Sequence, residues 1–382
     1  MKSRGIHLQY RFGADRQDGA DIENPLFEIL SALSSAGSIQ HAAAALGMSY
    51  RHLWGSLKQW EAALGEPLVH WARGQPARLT PFAQRLLWSE RQARTRLAPH
   101  IEALRHELRR VMDEAFDGNL RLLRIDASHD LALPRLQDLA TEHERLHLDL
   151  RFAGSLDALR SLADGRCQVA GFHVPPLVDR QEDYARALKP LLRPGRHKLI
   201  ACMRRQQGLM LPPGNPLGVD TLAGVVARRL RFADREAGAG THLLTDHLLR
   251  QAGLDRSALT VACTEVSHVA AALAVASGQA DASIGLRAAA ESLGLAFVPL
   301  AEEDYFLVCL ADVLETPPVL ALRRLLGQAG WREVLAALPG YAPSPHAGEV
   351  LSLVGALPWW RFRVPRRPAV EPQNPTTRST SP

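Results

Sequence analysis

The run Ser38-Ile39-Gln40-His41-Ala42-Ala43-Ala44-Ala45-Leu46-Gly47-Met48-Ser49-Tyr50-Arg51-His52-Leu53-Trp54 decides the architecture of the amino-terminal end. Ser38 is placed to cap a short helix, Ile39 to Leu46, because its hydroxyl can accept a free N–H of the first turn. The alanines of that helix let a neighbouring helix come close. Gly47 supplies a turn, and Ser49 caps a further helix from Tyr50 to about Leu64. Leu53, Leu57, Trp60 and Leu64 form an apolar stripe on it, while Tyr50, Arg51, Lys58 and Gln59 fall elsewhere. Upstream, Leu26, Ile29, Leu30 and Leu33 recur on one helical face from Asn24 until Gly37 stops the pattern.

Helix, tight glycine turn and helix at this spacing make a helix-turn-helix, whose second member enters the major groove when the motif binds DNA. The small residue of the first helix falls on Ala43, the turn glycine on Gly47 and the buried aliphatic of the second helix on Leu53. Leu68-Val69-His70-Trp71 and Arg78-Leu79-Thr80 read as two short strands around Arg73-Gly74-Gln75-Pro76, the outline of a wing. On these residues the stretch from Asn24 to about Leu87 resembles the winged helix-turn-helix of LysR-type regulators. It is similar more narrowly to the ModE-type, molybdate-dependent branch, on Gly47-Met48-Ser49-Tyr50-Arg51, Trp54 and Leu79-Thr80-Pro81-Phe82. The resemblance implies a double-stranded DNA operator as partner. Ser49, Tyr50, Arg51, His52, Lys58 and Gln59 of the helix would meet it, with Arg73, Gln75 and Arg78 of the wing. The plainer reading is an alanine-rich bundle whose arginines form a solvated face.

Charge is unevenly spread in a way that fits the first reading. Between Ser49 and Arg110 eleven basic residues stand against five acidic ones, a surplus that exceeds the +5 of the whole chain. Helical character persists from Pro81 to Asp113, where Leu97, Ile101, Leu104, Leu108 and Val111 recur as in a coiled-coil seam. Pairing along this seam gives a homodimer, with two recognition helices about one duplex turn apart on a roughly palindromic site. Pro99 lies inside the run and is expected to kink or split the helix. The same stripe could instead pack on the chain's own body.

Beyond Asp117-Gly118 the period changes to short β runs, each followed by a helix: Leu120 to Ala127, Leu146 to Ala153, Val169 to Val174, Lys198 to Met203, Leu230 to Ala233, Leu259 to Thr264 and Ala282 to Leu286. That alternation predicts an α/β unit with mostly parallel sheets. Ligands of such sheets bind beyond the carboxyl ends of strands, where helix N-termini present free N–H groups to anions. Ser128, His129, Ser155, His173, Arg235, Gly240, Thr241 and Ser267 all fall at such ends and are the candidate ligand-binding residues. Each alone has a plainer role, since a serine at a helix start is usually a cap and a histidine is usually structural. The region from Leu120 to about Leu338 resembles the type 2 periplasmic-binding-protein fold, on Ala127-Ser128-His129-Asp130, Gly154-Ser155-Leu156, Ala170-Gly171-Phe172-His173, Arg235 through Leu244 and Gly278-Gln279-Ala280-Asp281-Ala282. The resemblance implies two lobes, with chain crossings near Arg196 to Ala201 and Pro299 to Leu307, clamping a small anionic effector. Molybdate, tungstate or a molybdenum-cofactor precursor suits hydroxyl and glycine residues at helix starts, whereas Arg235 would also suit a carboxylate or phosphate. The chain departs from ModE regulators in lacking their small carboxyl-terminal molybdate domains.

The expected organisation is therefore multidomain. An extension (1–23) precedes an all-α winged helix-turn-helix (24–80), a linker and dimerisation helix (81–117) and a two-lobed α/β periplasmic-binding-protein-like unit (118–345); an extension (346–382) ends in a disordered tail rich in Pro, Arg, Thr and Ser. The 382 residues with 46% apolar content exceed one ordinary domain. No run reaches the roughly 20 apolar residues of a membrane span, so a cytoplasmic protein without a membrane partner is expected. Cys167, Cys202, Cys263 and Cys309 lack metal or redox spacing, and no nucleophile–base pair or carboxylate pair stands out, so neither cofactor nor enzymatic activity is expected. A transporter's solute-binding protein and an enzyme of molybdenum-cofactor metabolism are the competing readings.

Overall fold

The computed structural model describes residues 12–13, 21–22, 25–70, 77–116, 121–176 and 182–360. β1 (Phe12–Gly13) and β2 (Asp21–Ile22) pair antiparallel. They are followed by α1 (Pro25–Ala36), α2 (Ile39–Ala45) and α3 (Tyr50–Leu64). Ser38 and Ser49 cap α2 and α3, accepting the N–H of His41 and His52, each at 3.2 Å. Gly47 adopts a φ of 63° between the two helices, a left-handed conformation that favours glycine. Leu53 and Leu57 are fully buried against Leu26, Ile29, Leu30 and Leu33 of α1. Each such side chain contributes about 2 kcal/mol of transfer free energy. β3 (Val69–His70) and β4 (Arg78–Leu79) pair antiparallel as the stem of the wing.

α4 (Pro81–Phe116) runs unbroken for 36 residues. The expected split at Pro99 does not occur: a proline removes one backbone bond, and the turns on either side persist. Leu97 of the seam is 43% exposed. The side chains of Leu104, Leu108 and Val111, the wing tip with Arg73 and Gln75, and the tail from Arg361 lie outside the described residues.

After α4 come β5 (Arg121–Ser128), α5 (Leu133–Glu144), β6 (Leu146–Ala153), α6 (Ser155–Ala163), β7 (Val169–Val174), α7 (Glu182–Leu188) and β8 (His197–Leu211). Then follow α8 (Leu222–Ala227), β9 (Arg231–Arg235), α9 (Gly240–Gln251), β10 (Thr260–Glu265), α10 (His268–Ala276), β11 (Ala282–Leu286), α11 (Arg287–Ser292) and β12 (Ala296–Leu310). α12 (Pro317–Gly327), α13 (Ala329–Ala336), β13 (Tyr341–Pro343), β14 (Val350–Ser352) and α14 (Leu353–Ala356) complete the order. One sheet runs β10-β9-β11-β8-β12-β7-β5-β6, with β13 and β14 added on β8.

The expectation of mostly parallel pairing holds for the two flanks only. β5 with β6 and β7, and β9 with β10 and β11, are parallel; β8 and β12 pair antiparallel with each other and with their neighbours. These two 15-residue strands join the halves, since β7 pairs with β12 over Asp304–Cys309 and β11 pairs with β8 over Gln207–Met210. The halves therefore meet around Arg204–Gln207 and Ala301–Asp304, so the first crossing lies a few residues later than expected.

α5, α10, α11, α12 and α13 share one large core on one face of the sheet. On the other face α6 and α7 pack on the β5–β7 half, and α8 and α9 on the β9–β11 half. The cleft opens between α6 and α9.

Candidate functional site

Two helices without side-chain caps start at the cleft. α6 begins after Gly154 and α9 after Ala239, and among the described residues neither N-terminus has a side-chain cap hydrogen bond. Gly154, Ala239, Gly240 and Thr241 line a cleft of about 340 Å³, with Ser128, His129, Arg151, Phe152, Asp157, His173, Arg235, Glu236, Val266 and His268 among its other residues. First-turn N–H groups there face the cavity with a partial positive charge, a setting that favours an anion. The walls touch. A methyl on Gly154 would overlap the carbonyl of Gly238, and one on Gly240 would overlap the His173 ring and sit 2.8 Å from Ser155 Oγ. Glycine at these points is what lets the two helix starts meet.

Arg235 supplies the fixed charge. Its guanidinium is buried, donating from Nε to the Glu265 carbonyl and from Nη2 to the Val266 carbonyl, both at 3.0 Å. Nη1 has no hydrogen-bond partner among the described residues. Burial, and then the nearby Arg205 charge, push Arg235 down to about 10, so it remains cationic at neutral pH. His268 and His173 are held below the ordinary imidazole range by burial first, then by Arg235 for His268 and by Arg205 for His173. Both rings are neutral donors or acceptors near pH 7. His268 Nδ1 is also without a partner among the described residues.

A second buried charge group lies beneath the cleft, where the two halves cross. Arg205 donates to Asp130 Oδ2 at 2.8 Å and to Glu303 Oε2 at 3.1 Å, with all three side chains fully buried. Gln207 donates to the same Glu303 oxygen at 2.7 Å, and Tyr341 donates to Asp130 at 2.9 Å. His173 Nδ1 lies 2.8 Å from Glu303 Oε1. Burial alone would raise the Glu303 carboxyl, but His173 and Arg205 outweigh it and hold it down to about 2. Arg205 is thus neutralised locally, and Arg235 is left as the buried cation that addresses the cleft.

The candidate ligand residues divide on inspection. His129, His173, Arg235, Gly240 and Thr241 line the cavity. Ser128 lines it too, but its hydroxyl is bonded to Tyr305 Oη at 3.1 Å. Ser155 Oγ is buried and unpartnered among the described residues, and it faces Gly240 across the closed walls. Ser267 instead caps α10, accepting the Ala270 N–H at 3.1 Å, which is the ordinary use of a serine at a helix start. Among the lining residues Asp157 carried no signal in the sequence, and neither did the Arg205–Glu303 pair, whose members lie 98 positions apart; Gly154 was legible in Gly154-Ser155 and Glu236 in the turn that follows Arg235. Among the described residues no group of three or more His, Cys, Asp or Glu is placed to hold a metal ion. No described helix is long and apolar enough to cross a membrane.

The second candidate surface is the free face of α3. Tyr50 is 54% exposed, and Arg51, His52, Lys58 and Gln59 are exposed beside it. Ser49, Arg51, His52, Gly55, Ser56 and Gln59 line a shallow groove there. Tyr50 stacks on Trp54 with ring centroids 6.5 Å apart. Lys58 pairs with Glu61 at 2.7 Å, and Glu61 also accepts the Leu68 N–H at 2.9 Å, which ties the helix to the wing. Arg78 stands exposed on β4.

A protein-family model described as the PBP superfamily domain matches residues 136–327, just over half of the chain. The chain belongs to the PBP superfamily. A second model, described as bacterial regulatory helix-turn-helix protein of the lysR family, matches residues 26–84. This PBP superfamily chain therefore carries a LysR-type helix-turn-helix ahead of its cleft; the ModE likeness stays a resemblance of the residues quoted for it. The uncharacterized protein YvgK of Bacillus subtilis (strain 168) is 30% identical over 192 residues, covering 50% of this chain and 61% of YvgK. Among solved structures, an H2O2-bound mutant of Corynebacterium glutamicum OxyR is 18% identical, covering 82% of this chain and 93% of its own, with a TM-score of 0.44. Full-length CbnR complexed with its target DNA is 17% identical, covering 82% and 99%, with a TM-score of 0.37. Overlaps at that level carry no argument about effector or operator.

Proposed function

We propose that the protein is a transcription regulator that binds duplex DNA through α3 and the wing and senses a small anion in the cleft. One observation carries the reading. The same chain presents an exposed polar recognition face and a cleft in which two helix starts without a side-chain cap and an Arg235 nitrogen without a hydrogen-bond partner, among the described residues, converge. The effector's influence on the DNA-binding head cannot exceed its preference for closed walls over open ones. The donors select negative charge rather than a particular element, so molybdate and tungstate belong to the class together with phosphates and carboxylates. Association through the exposed part of the α4 seam would set two α3 helices on one duplex. We assign the protein no catalytic step.

The test is native mass spectrometry of the purified protein, followed by thermal-shift titration with molybdate, tungstate, phosphate and citrate. An anion that stabilises wild type but not Arg235→Ala supports the reading. Equal stabilisation of both proteins, or no response to any anion and none retained on purification, refutes the anion site.

A further inference from the structure

We propose that the turn Arg91–Arg96 of α4 is a coupling latch, through which the state of Arg235 in the cleft reaches the helix that carries the DNA-binding head. The signalling purpose rests on the functional reading above; the mechanical link does not.

The bonds run in an unbroken series. Arg235 grips the main-chain carbonyls of Glu265 and Val266, and Arg235 and Glu265 are also direct partners in the β9–β10 ladder. The Glu265 carboxylate, with no exposed surface, receives Arg96 through both oxygens, Nη2 at 2.7 Å and Nε at 3.1 Å. Gln92, one turn earlier, donates to Gln279 Oε1 at 2.6 Å and to Glu265 Oε1 at 3.4 Å. Its neighbour Arg91 turns to the other side, donating to Ser31 Oγ of α1 at 2.7 Å while stacking over Trp88. Six residues of one helix thus hold the DNA-binding body on one flank and the β9–β11 half of the sheet on the other.

Two features make this junction a switch rather than a plain brace. The first is packing: α4 also lies against β6, which belongs to the opposite half of the sheet. A helix packed on one half and ion-paired to the other is strained by a change in the angle between them. The second is electrostatic. A buried carboxylate that loses its bidentate cation is left uncompensated, and a forked pair tolerates little displacement before it breaks. The latch therefore has two states, made or broken, as a transmitting element requires.

Hydrogen–deuterium exchange on the full chain tests the link without DNA or effector, so its outcome is independent of the functional reading. The proteins are wild type, Arg235→Ala, Arg96→Gln and the double variant, with Arg96→Lys as a version that keeps the charge and loses the fork. Arg235→Ala should speed exchange of the 88–97 amides about fivefold or more in the wild-type background. It should add nothing in the Arg96→Gln or Arg96→Lys backgrounds, where the latch is already open. Unchanged α4 exchange in Arg235→Ala, or an equal increase with and without Arg96, overturns the proposal. If Arg96→Gln does not fold, Arg96→Lys supplies the same comparison.

Discussion

Gly240→Ala isolates the contact between the cleft walls. The added methyl would overlap the His173 ring and sit 2.8 Å from Ser155 Oγ, and both groups belong to the opposite half of the sheet. The ring is buried and held 2.8 Å from Glu303, so it cannot swing aside cheaply. Overpacking of this kind costs about 1–3 kcal/mol. Because parting the walls relieves it, the cost falls on the closed state alone and shifts the closed-to-open ratio by about 5- to 150-fold. Amide exchange should rise in the first turn of α9 and in β7, and small-angle scattering should report a larger radius of gyration. The thermal midpoint should fall by no more than a few degrees, since the open form escapes the clash. His173→Ala in the same chain removes the obstacle and should restore much of the protection, a coupling that a double-mutant cycle measures. Unchanged exchange and scattering in Gly240→Ala would refute the reasoning, since the walls would then have room for the methyl.

Arg51→Ala should weaken binding to a random-sequence duplex, reducing the log–log salt slope by about 0.9 if Arg51 meets a phosphate; an unaltered slope and affinity would remove it from the interface. Glu303 adds a pH dependence: its carboxyl is depressed in the fold from 4.5 to about 2, so its stabilisation is complete above pH 4.5 and disappears as pH falls through 2. The amount is about 3 kcal/mol, and Glu303→Gln should flatten urea midpoints measured from pH 5.5 to 2.5. His268 acts in a higher window. Its folded pKa lies well below 6.5, so its contribution is whole above pH 6.5 and shrinks on acidification below it, and His268→Asn should lessen the decline between pH 6.5 and 5.

The helix-turn-helix was legible because its punctuation is local. Ser38, Gly47, Ser49 and the stripe through Leu53 and Leu57 act within a few residues of the elements they define. β7 and β11 were legible for the same reason, being mainly apolar runs with polar ends, and β6 as an alternation of apolar with polar residues. β8 was legible only over Lys198 to Met203, since Arg204 to Gln207 reads as a polar end, and β12 was not, since Glu302, Glu303 and Asp304 interrupt its apolar residues. They continue as strand because Arg205, Gln207 and Glu303 satisfy one another in the buried crossing, a pairing set by topology and invisible along the chain. The cleft was half legible for a related reason. A serine at a helix start is visible, but whether its hydroxyl caps the helix, as in Ser267, or has no partner among the described residues, as in Ser155, depends on distant neighbours.

The paired ribbons β8 and β12 give the cleft-bearing region a property of its own. Neither half owns a complete sheet, so neither can melt and leave the other standing. Heat or denaturant should take the region apart in one event rather than two. An occupant bridging the walls would then protect residues far from where it sits, and damage at the rim of either half would be felt as loss of the whole receptor.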